Sequence, residues 1–124
     1  MYLSKMRLEG NFYKIHNIEH TDGGYKVEVE LFENHPIYAG HFPQQAVVPG
    51  VCTLTIIRET LSNILSRDVV FEAIKECKYV SALIPQHDLR VILNLTLVDQ
   101  TKLSAVVERV DNQQTVLKLR ATIR

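Results

Sequence analysis

The segment from residue 51 to residue 65 constrains the fold most, because its pattern is that of a helix that has to be buried. Its apolar side chains recur at helical spacing, at Val51, Leu54, Ile57, Leu61, Ile64 and Leu65. Cys52 and Ile56 widen the apolar surface, so the first half of the segment is apolar on nearly every side. The pattern predicts a helix whose beginning is enclosed by the rest of the domain and whose more polar end emerges at the surface.

Six strand-like runs flank this helix, two before it and four after it. They cover residues 11–20, 25–32, 69–80, 89–98, 102–110 and 115–123. Apolar and polar side chains alternate along them, as at Val27, Val29 and Leu31, which is typical of half-buried antiparallel strands. Because one long helix interrupts a series of antiparallel strands, we predict an α+β fold in which the sheet wraps around the helix.

Length, charge and cysteine content narrow the class of protein. A chain of 124 residues can enclose one hydrophobic core, so we predict a single domain over residues 1–124. Fourteen basic residues balance fourteen acidic ones, which gives no general attraction to nucleic acid or to anionic membranes. No apolar run approaches the ~20 residues that span a bilayer. Cys52 and Cys77 fall inside predicted buried elements, which favours reduced thiols and a cytoplasmic location.

Residues 33–49 form a long irregular segment with three prolines, and loops of this length in compact domains usually carry function. His41 lies within this segment, and Gly50 follows it near the predicted start of the helix. The first N–H groups of a helix have no partner inside the helix, so they can polarise a carbonyl group. A histidine base beside such a helix start supplies the two parts needed to remove a proton next to a thioester carbonyl. The spacing of the other His, Cys and acidic residues fits no metal site, and no phosphate-binding or dinucleotide loop occurs, so we expect neither a metal nor a cofactor.

The residues around these two positions resemble a known family. Gly-His-Phe-Pro at residues 40–43, followed by Val-Pro-Gly-Val at residues 48–51 and an apolar helix, resembles the signature of the hot-dog-fold β-hydroxyacyl-acyl-carrier-protein dehydratases. The run at residues 72–80 and the turn near Pro85 and Asp88 are similar to the same family. The resemblance implies a hot-dog fold, in which an antiparallel sheet wraps around one long central helix. It also implies dehydration of a β-hydroxyacyl thioester, carried on an acyl carrier protein, to the trans-2-enoyl thioester in fatty-acid or related lipid and polyene biosynthesis.

The resemblance also implies roles for individual residues. It makes His41 the base that acts on the α-carbon, and it makes the backbone of Gly50 or Val51 the donor to the thioester carbonyl. The family places a carboxylate fourteen residues after the histidine, where this chain has Thr55. A threonine hydroxyl cannot act as a general acid or base near neutral pH. The nearest carboxylate is Glu59, about 6 Å further along the same helical face. We therefore hypothesise that His41 and Glu59 form the working pair, with a water held on Thr55.

Each polar residue on the helix also has a purely structural interpretation. The Thr55 hydroxyl can bond to the carbonyl group four residues earlier, and Glu59 can pair with a neighbouring basic side chain. Cys52, close to the helix start, can act as a nucleophile, although its apolar neighbours favour a packed thiol. From the sequence alone, these alternatives stay open.

Substrate contacts and partners follow from the same resemblance. Phe42, Val48 and Leu54 are expected to line the acyl chain. An acidic carrier protein needs a basic patch near the tunnel mouth, for which the candidates are Arg58, Arg67, Lys75 and Lys78. The family's active sites lie at a dimer interface, so we expect a homodimer or a higher homo-oligomer that forms through edge strands.

Two other functions stay open beside the dehydratase. The chain can be a catalytically weak hot-dog subunit that binds acyl chains, or that completes a heterodimer in which a partner supplies the carboxylate. It can also be a hot-dog thioesterase, which needs a carboxylate or an activated water near the helix start. The sequence does not decide between a carrier protein and coenzyme A as the thioester carrier.

Overall fold

The computed structural model describes residues 8–35 and 47–124, which form six strands and one helix. The elements are β1 (Tyr13–Thr21), β2 (Gly24–Leu31), α1 (Gly50–Leu65), β3 (Phe71–Tyr79), β4 (Leu89–Val98), β5 (Lys102–Arg109) and β6 (Thr115–Ile123). Each predicted strand and the predicted helix is present, and each boundary lies within two residues of its prediction. The predicted α+β architecture is therefore confirmed.

The strands form one antiparallel sheet in the order β1-β2-β4-β5-β6-β3. Three of the pairs, β1 with β2, β4 with β5 and β5 with β6, join strands that are consecutive in the chain. The helix interrupts this pairing of consecutive strands, because β3, the strand that follows the helix, pairs with β6 at the far edge of the sheet. As a result β1 and β3 are the two edge strands of the described sheet.

The helix and the sheet share one hydrophobic core. The strands contribute alternate residues that the sequence pattern places on one face: Leu89, Val91, Leu93, Leu95, Leu117, Leu119, Ala121 and Ile123. The helix contributes Ile56, Ile57 and Leu61, which are almost completely buried. Burial of this continuous apolar surface is the main force that holds the helix against the sheet.

The exposure of the helix differs from the prediction at its beginning. Val51 is 66% exposed in the single chain, so the expectation of an enclosed helix start is wrong at this residue. The most buried stretch lies instead in the middle of the helix, where even Glu59, Thr60 and Ser62 are buried. Ser62 is satisfied there, since its hydroxyl donates to the Arg58 carbonyl at 2.9 Å and accepts from the Val69 N–H at 3.0 Å. The last turn of the helix does emerge, since Asn63 is exposed and Ile64 and Leu65 are half-buried.

A glycine at the start of β2 allows the strands β2 and β4 to approach each other closely. Gly24 begins β2 and pairs with Thr96 of β4. A Cβ atom on Gly24 would lie 1.8 Å from the backbone oxygen of Leu95, which no side chain can tolerate. The absence of a side chain at Gly24 therefore allows the close pairing of β2 with β4. Among residues 8–35 and 47–124, no helix has the length and apolar character that crossing a membrane requires.

Candidate active site

A cavity of about 480 Å³ lies at the beginning of α1. This volume is within the range of roughly 300–1,000 Å³ that is usual for small-molecule sites. Its walls are mainly apolar and come from the helix start and from the residues near β3 and β6, among them Val47, Val48, Val51, Val80, Leu83 and Val116. The cavity therefore offers apolar space directly beside a helix N-terminus.

The helix start presents backbone donors to this cavity. Pro49 is the N-cap and makes no side-chain hydrogen bond, and the first turn contains no acidic residue. The N–H groups of Cys52 and Thr53 donate to the Pro49 carbonyl, at 2.9 and 3.4 Å. In the described part of the chain, no acceptor pairs with the N–H of Gly50 or Val51. These two donors carry the partial positive charge of the helix N-terminus, so they can bind a carbonyl oxygen.

Tyr79, the last residue of β3, is a cavity residue that the sequence interpretation missed. A Cβ atom built on Gly50 would lie 2.5 Å from Cε1, 2.7 Å from Cζ and 2.9 Å from the hydroxyl oxygen of Tyr79. The phenol end of the side chain thus rests on the first residue of the helix. The contact joins residues 29 positions apart in the sequence, and no local pattern signals it.

Three of the predicted substrate-binding residues meet at the cavity. Val48, Gly50 and Val51 all line it, and Val48 is buried. Leu54 is half-buried in the helix and is not part of the described lining. His41 and Phe42 lie outside the described residues, so the catalytic role of the first and the lining role of the second stay predictions.

Thr55 uses its hydroxyl inside the helix. Its Oγ1 donates to the carbonyl of Val51 at 2.8 Å, which is the structural alternative that the sequence left open. A hydroxyl in this bond can still accept a hydrogen bond from a water. The proposed water on Thr55 is therefore still a prediction.

Glu59 is buried, with 3% of its surface exposed, and it accepts three hydrogen bonds from the segment that precedes and begins β1. Its Oε2 accepts from the Leu8 N–H at 2.9 Å, and its Oε1 accepts from the Glu9 N–H at 3.1 Å and from the Tyr13 hydroxyl at 2.9 Å. The Arg58 guanidinium lies 3.9 Å from Oε2. The side chain thus ties the helix to residues about fifty positions earlier, and it is not part of the described cavity lining.

These contacts bear on the chemistry expected of Glu59. Burial and the nearby Glu59 carboxylate raise the pKa of Tyr13, so its hydroxyl stays protonated and donates to Glu59. Both carboxylate oxygens are accordingly occupied by donors from the protein itself. The described contacts favour an anchoring role, and the pairing of Glu59 with His41 stays a prediction because His41 lies in the segment 36–46.

Other candidate residues fall in different environments. Cys52 is buried and burial raises the pKa of its thiol, which favours the packed thiol over a nucleophile. Arg67 follows the end of the helix, opposite the cavity, and its guanidinium lies 3.5 Å from the Gln100 carbonyl oxygen. Lys78 directly precedes Tyr79 and is exposed.

Within the two described ranges, no three His, Cys, Asp or Glu side chains are grouped as a metal site requires.

Comparison with known proteins identifies a family whose profile matches this chain. The profile of the family ApeI-like, described as ApeI dehydratase, matches residues 17–118. No curated protein matches the chain in sequence. Solved structures do match, so the fold can be compared directly.

Three of these structures are similar over most of both chains. The dehydratase heterocomplex ApeI:P from Xenorhabdus doucetiae has a TM-score of 0.69 at 18% identity, covering 88% of this chain and 95% of that one. An uncharacterised protein from Erwinia carotovora subsp. atroseptica has a TM-score of 0.65 at 23% identity, covering 89% and 91%. A hypothetical thioesterase with coenzyme A from Streptococcus pneumoniae has a TM-score of 0.59 at 14% identity, covering 90% and 83%. At these identities the likenesses establish the fold, and they confirm the predicted hot-dog architecture.

Proposed function

Since this chain belongs to the ApeI-like dehydratase family, we propose that it removes water from a β-hydroxyacyl thioester. The product is the trans-2-enoyl thioester. We further propose that an acyl carrier protein presents the substrate, in fatty-acid or related lipid and polyene biosynthesis, and that the reaction takes place in the cytoplasm. The two free cysteines are compatible with a reducing compartment.

The observation that carries this proposal is the apolar cavity beside the Gly50 and Val51 donors. A thioester carbonyl bound to these two N–H groups leaves its acyl chain against the apolar walls. His41, as the base, takes the proton from the α-carbon, and the electron pair of that C–H bond moves into an enolate whose oxygen the two donors stabilise. The enolate then re-forms the carbonyl and expels the β-hydroxyl group, which takes up a proton and leaves as water.

The departing hydroxyl needs an acid, and the described cavity has no acidic residue in its lining. Thr55 stands where the family's carboxylate is expected, and Glu59 is held by Leu8, Glu9 and Tyr13. This favours a second candidate function, in which the chain is one subunit of an unlike pair and its partner supplies the carboxylate. A solved relative of the same fold, ApeI:P, is itself a heterocomplex.

The edge strand β3 supports assembly of either kind. It pairs with β6 on one side only, and its other edge has no partner strand within the described chain. Ile74 on this strand is 47% exposed, and Val51 at the nearby cavity is more exposed still. An open edge with apolar side chains invites pairing with another strand. We propose that a second subunit, like or unlike, pairs with β3 and extends the sheet across the interface.

The assembly proposal is tested with two matched variants. Ile74→Lys places a charge on β3 and should shift the protein towards monomer in light scattering. Ile18→Lys changes an isoleucine of similar exposure on the other edge strand, β1, and should leave the assembly intact. Equal effects of the two variants would show that β3 has no special part in assembly.

The reaction is tested with a purified chain and a β-hydroxyacyl thioester, on carrier protein and on coenzyme A in parallel. The conjugated enoyl product is followed by its ultraviolet absorbance, and free thiol is followed in the same samples. His41→Ala should lower the rate at least about 100-fold, because it removes the base. His87→Ala changes a histidine whose side chain is 93% exposed and should leave the rate unchanged.

The same experiment separates the alternatives. Enoyl product from the chain alone supports the self-sufficient dehydratase. Product only when a co-encoded second hot-dog subunit is added supports the unlike pair. Release of free thiol without enoyl product would overturn both in favour of a thioesterase.

A further inference from the structure

The contact between Tyr79 and the helix start has a consequence for the substrate. The Cζ and hydroxyl oxygen of Tyr79 lie within 3 Å of the point that a Gly50 side chain would occupy, at 2.7 and 2.9 Å. The phenolic oxygen is therefore a close neighbour of the Gly50 backbone, whose N–H is one of the two donors at the cavity. Because Gly50 and Tyr79 line the same cavity, one oxygen atom can accept from this N–H and from the phenol together.

Tyr79 is suited to bind an oxygen of a ligand. Ser81 also lines the cavity, but its hydroxyl donates to the Thr115 carbonyl at 2.7 Å, so its proton is already used. The Tyr79 hydroxyl has the Cys77 thiol as its polar neighbour, and sulfur is a weak acceptor that an oxygen ligand can replace. Partial desolvation of the phenol, and then the neighbouring Cys77, raise the pKa of Tyr79, so the phenol keeps its proton at neutral pH.

We propose that the Tyr79 hydroxyl is a third donor to the thioester carbonyl oxygen, together with the N–H groups of Gly50 and Val51. This inference rests on the proposed function. As the α-proton leaves, negative charge develops on that oxygen, and a hydrogen bond to a charged oxygen is stronger than one to a neutral carbonyl. The hydrogen bond from Tyr79 therefore stabilises the transition state more than the ground state. Loss of the hydroxyl should lower kcat more than it raises KM.

The proposal explains why the helix starts with glycine. An alanine at residue 50 would push the phenol away, because the clash is with the far end of a side chain that is 57% exposed and can move. Alanine is otherwise a better helix residue than glycine. Gly50→Ala should therefore keep the protein at least as stable to urea while lowering kcat, a combination that loss of a purely structural contact would not produce.

The first test compares two tyrosine variants under the dehydration assay. Tyr79→Phe keeps the ring and removes the hydroxyl, and we expect kcat to fall at least about tenfold with KM nearly unchanged. Tyr25→Phe removes a hydroxyl on β2, where the ring packs against His20 with centroids 5.1 Å apart, and should keep wild-type kcat. Wild-type kcat in Tyr79→Phe, from a chain that is itself active, would overturn the proposal for Tyr79 and leave the proposed function standing.

The second test needs no turnover. The protein is labelled with carbon-13 at Cζ of tyrosine and titrated with an unreactive amide analogue of an acyl pantetheine, and the Tyr79 signal is assigned from its loss in Tyr79→Phe. Movement of that signal on binding, with tighter binding to wild type than to Tyr79→Phe, supports the proposal. Binding that leaves the Tyr79 signal in place overturns the role of Tyr79. No binding, together with no enoyl product from the chain with or without a partner subunit, overturns both this inference and the proposed function.

Discussion

Replacement of Glu59 by glutamine tests whether this carboxylate anchors the fold or takes part in the reaction. Glu59 accepts from two backbone N–H groups and from the Tyr13 hydroxyl. Glutamine has one acceptor oxygen. Its NH₂ group takes the place of the other carboxylate oxygen and faces the donors that this oxygen bound. In either orientation of the amide, at least one of the Leu8 and Glu9 N–H groups loses its partner.

The size of the effect follows from the type of bond. Hydrogen bonds to a charged group contribute about 1.5–3 kcal/mol each. The Glu59 side chain is only 2% exposed, so water cannot replace the missing acceptor without local opening. We expect Glu59→Gln to lower the free energy of unfolding by about 1.5–3 kcal/mol, which shifts the urea midpoint by roughly 1 M.

The assay is urea unfolding followed by circular dichroism at a fixed protomer concentration, since assembly contributes to stability. Glu19→Gln is the matched control, because Glu19 is exposed on β1, and surface changes of this kind stay within about 0.5 kcal/mol. A loss in Glu59→Gln no larger than that of the control would refute the anchoring argument.

Enzyme kinetics on the same variant address the alternative. An anchor predicts that folded Glu59→Gln keeps kcat within a few-fold of wild type. A catalytic partner of His41 predicts a loss of at least about 100-fold in a variant that is still folded. Unchanged dehydration would exclude the pairing of Glu59 with His41.

Three further outcomes follow from the described contacts. Gly24→Ala should cost at least about 2 kcal/mol in urea unfolding, since its Cβ would lie 1.8 Å from the Leu95 oxygen; an unchanged midpoint would contradict this. The free energy of unfolding should fall as pH rises above about 10, because burial and Glu59 raise the pKa of Tyr13 and the unfolded chain loses that proton first. Tyr13→Phe should flatten this fall, and an equally steep fall in the variant would be evidence against it. Iodoacetamide should label Cys77 before Cys52, because Cys52 is buried and burial raises the pKa of its thiol; the reverse order in peptide mass spectrometry would be inconsistent with a packed thiol.

Much of the architecture could be predicted because apolar residues recur with a characteristic spacing within each strand and within the helix. Alternation in β4 and β6, and the spacing of Ile57 and Leu61 in α1, follow from the geometry of a single strand or helix. Such patterns do not depend on where the rest of the chain lies. The motif around residues 40–51 likewise pointed to the dehydratase family through neighbouring residues alone, and the family profile agrees.

Periodicity along the chain does not reveal the surroundings of residues whose neighbours come from distant segments. Val51 fits an enclosed helix by its apolarity, yet in the single chain no described element covers it. Glu59 looked available for chemistry because it lies one turn from Thr55, whereas its donors come from the start of the chain. Helical spacing tells which side chains share a face, and it does not tell what packs against that face.

Local chemistry along the chain thus determined the kinds of element, their limits, the side of each strand that faces the core and the family to which the protein belongs. Only tertiary packing decided that β3 ends at the sheet edge, that Glu59 holds the segment before β1 and that Tyr79 rests on Gly50. The physical reason is the distance along the chain over which each kind of interaction acts. Backbone geometry sets periodicity over a few residues, while contacts between residues thirty to fifty positions apart arise when many apolar side chains are buried together.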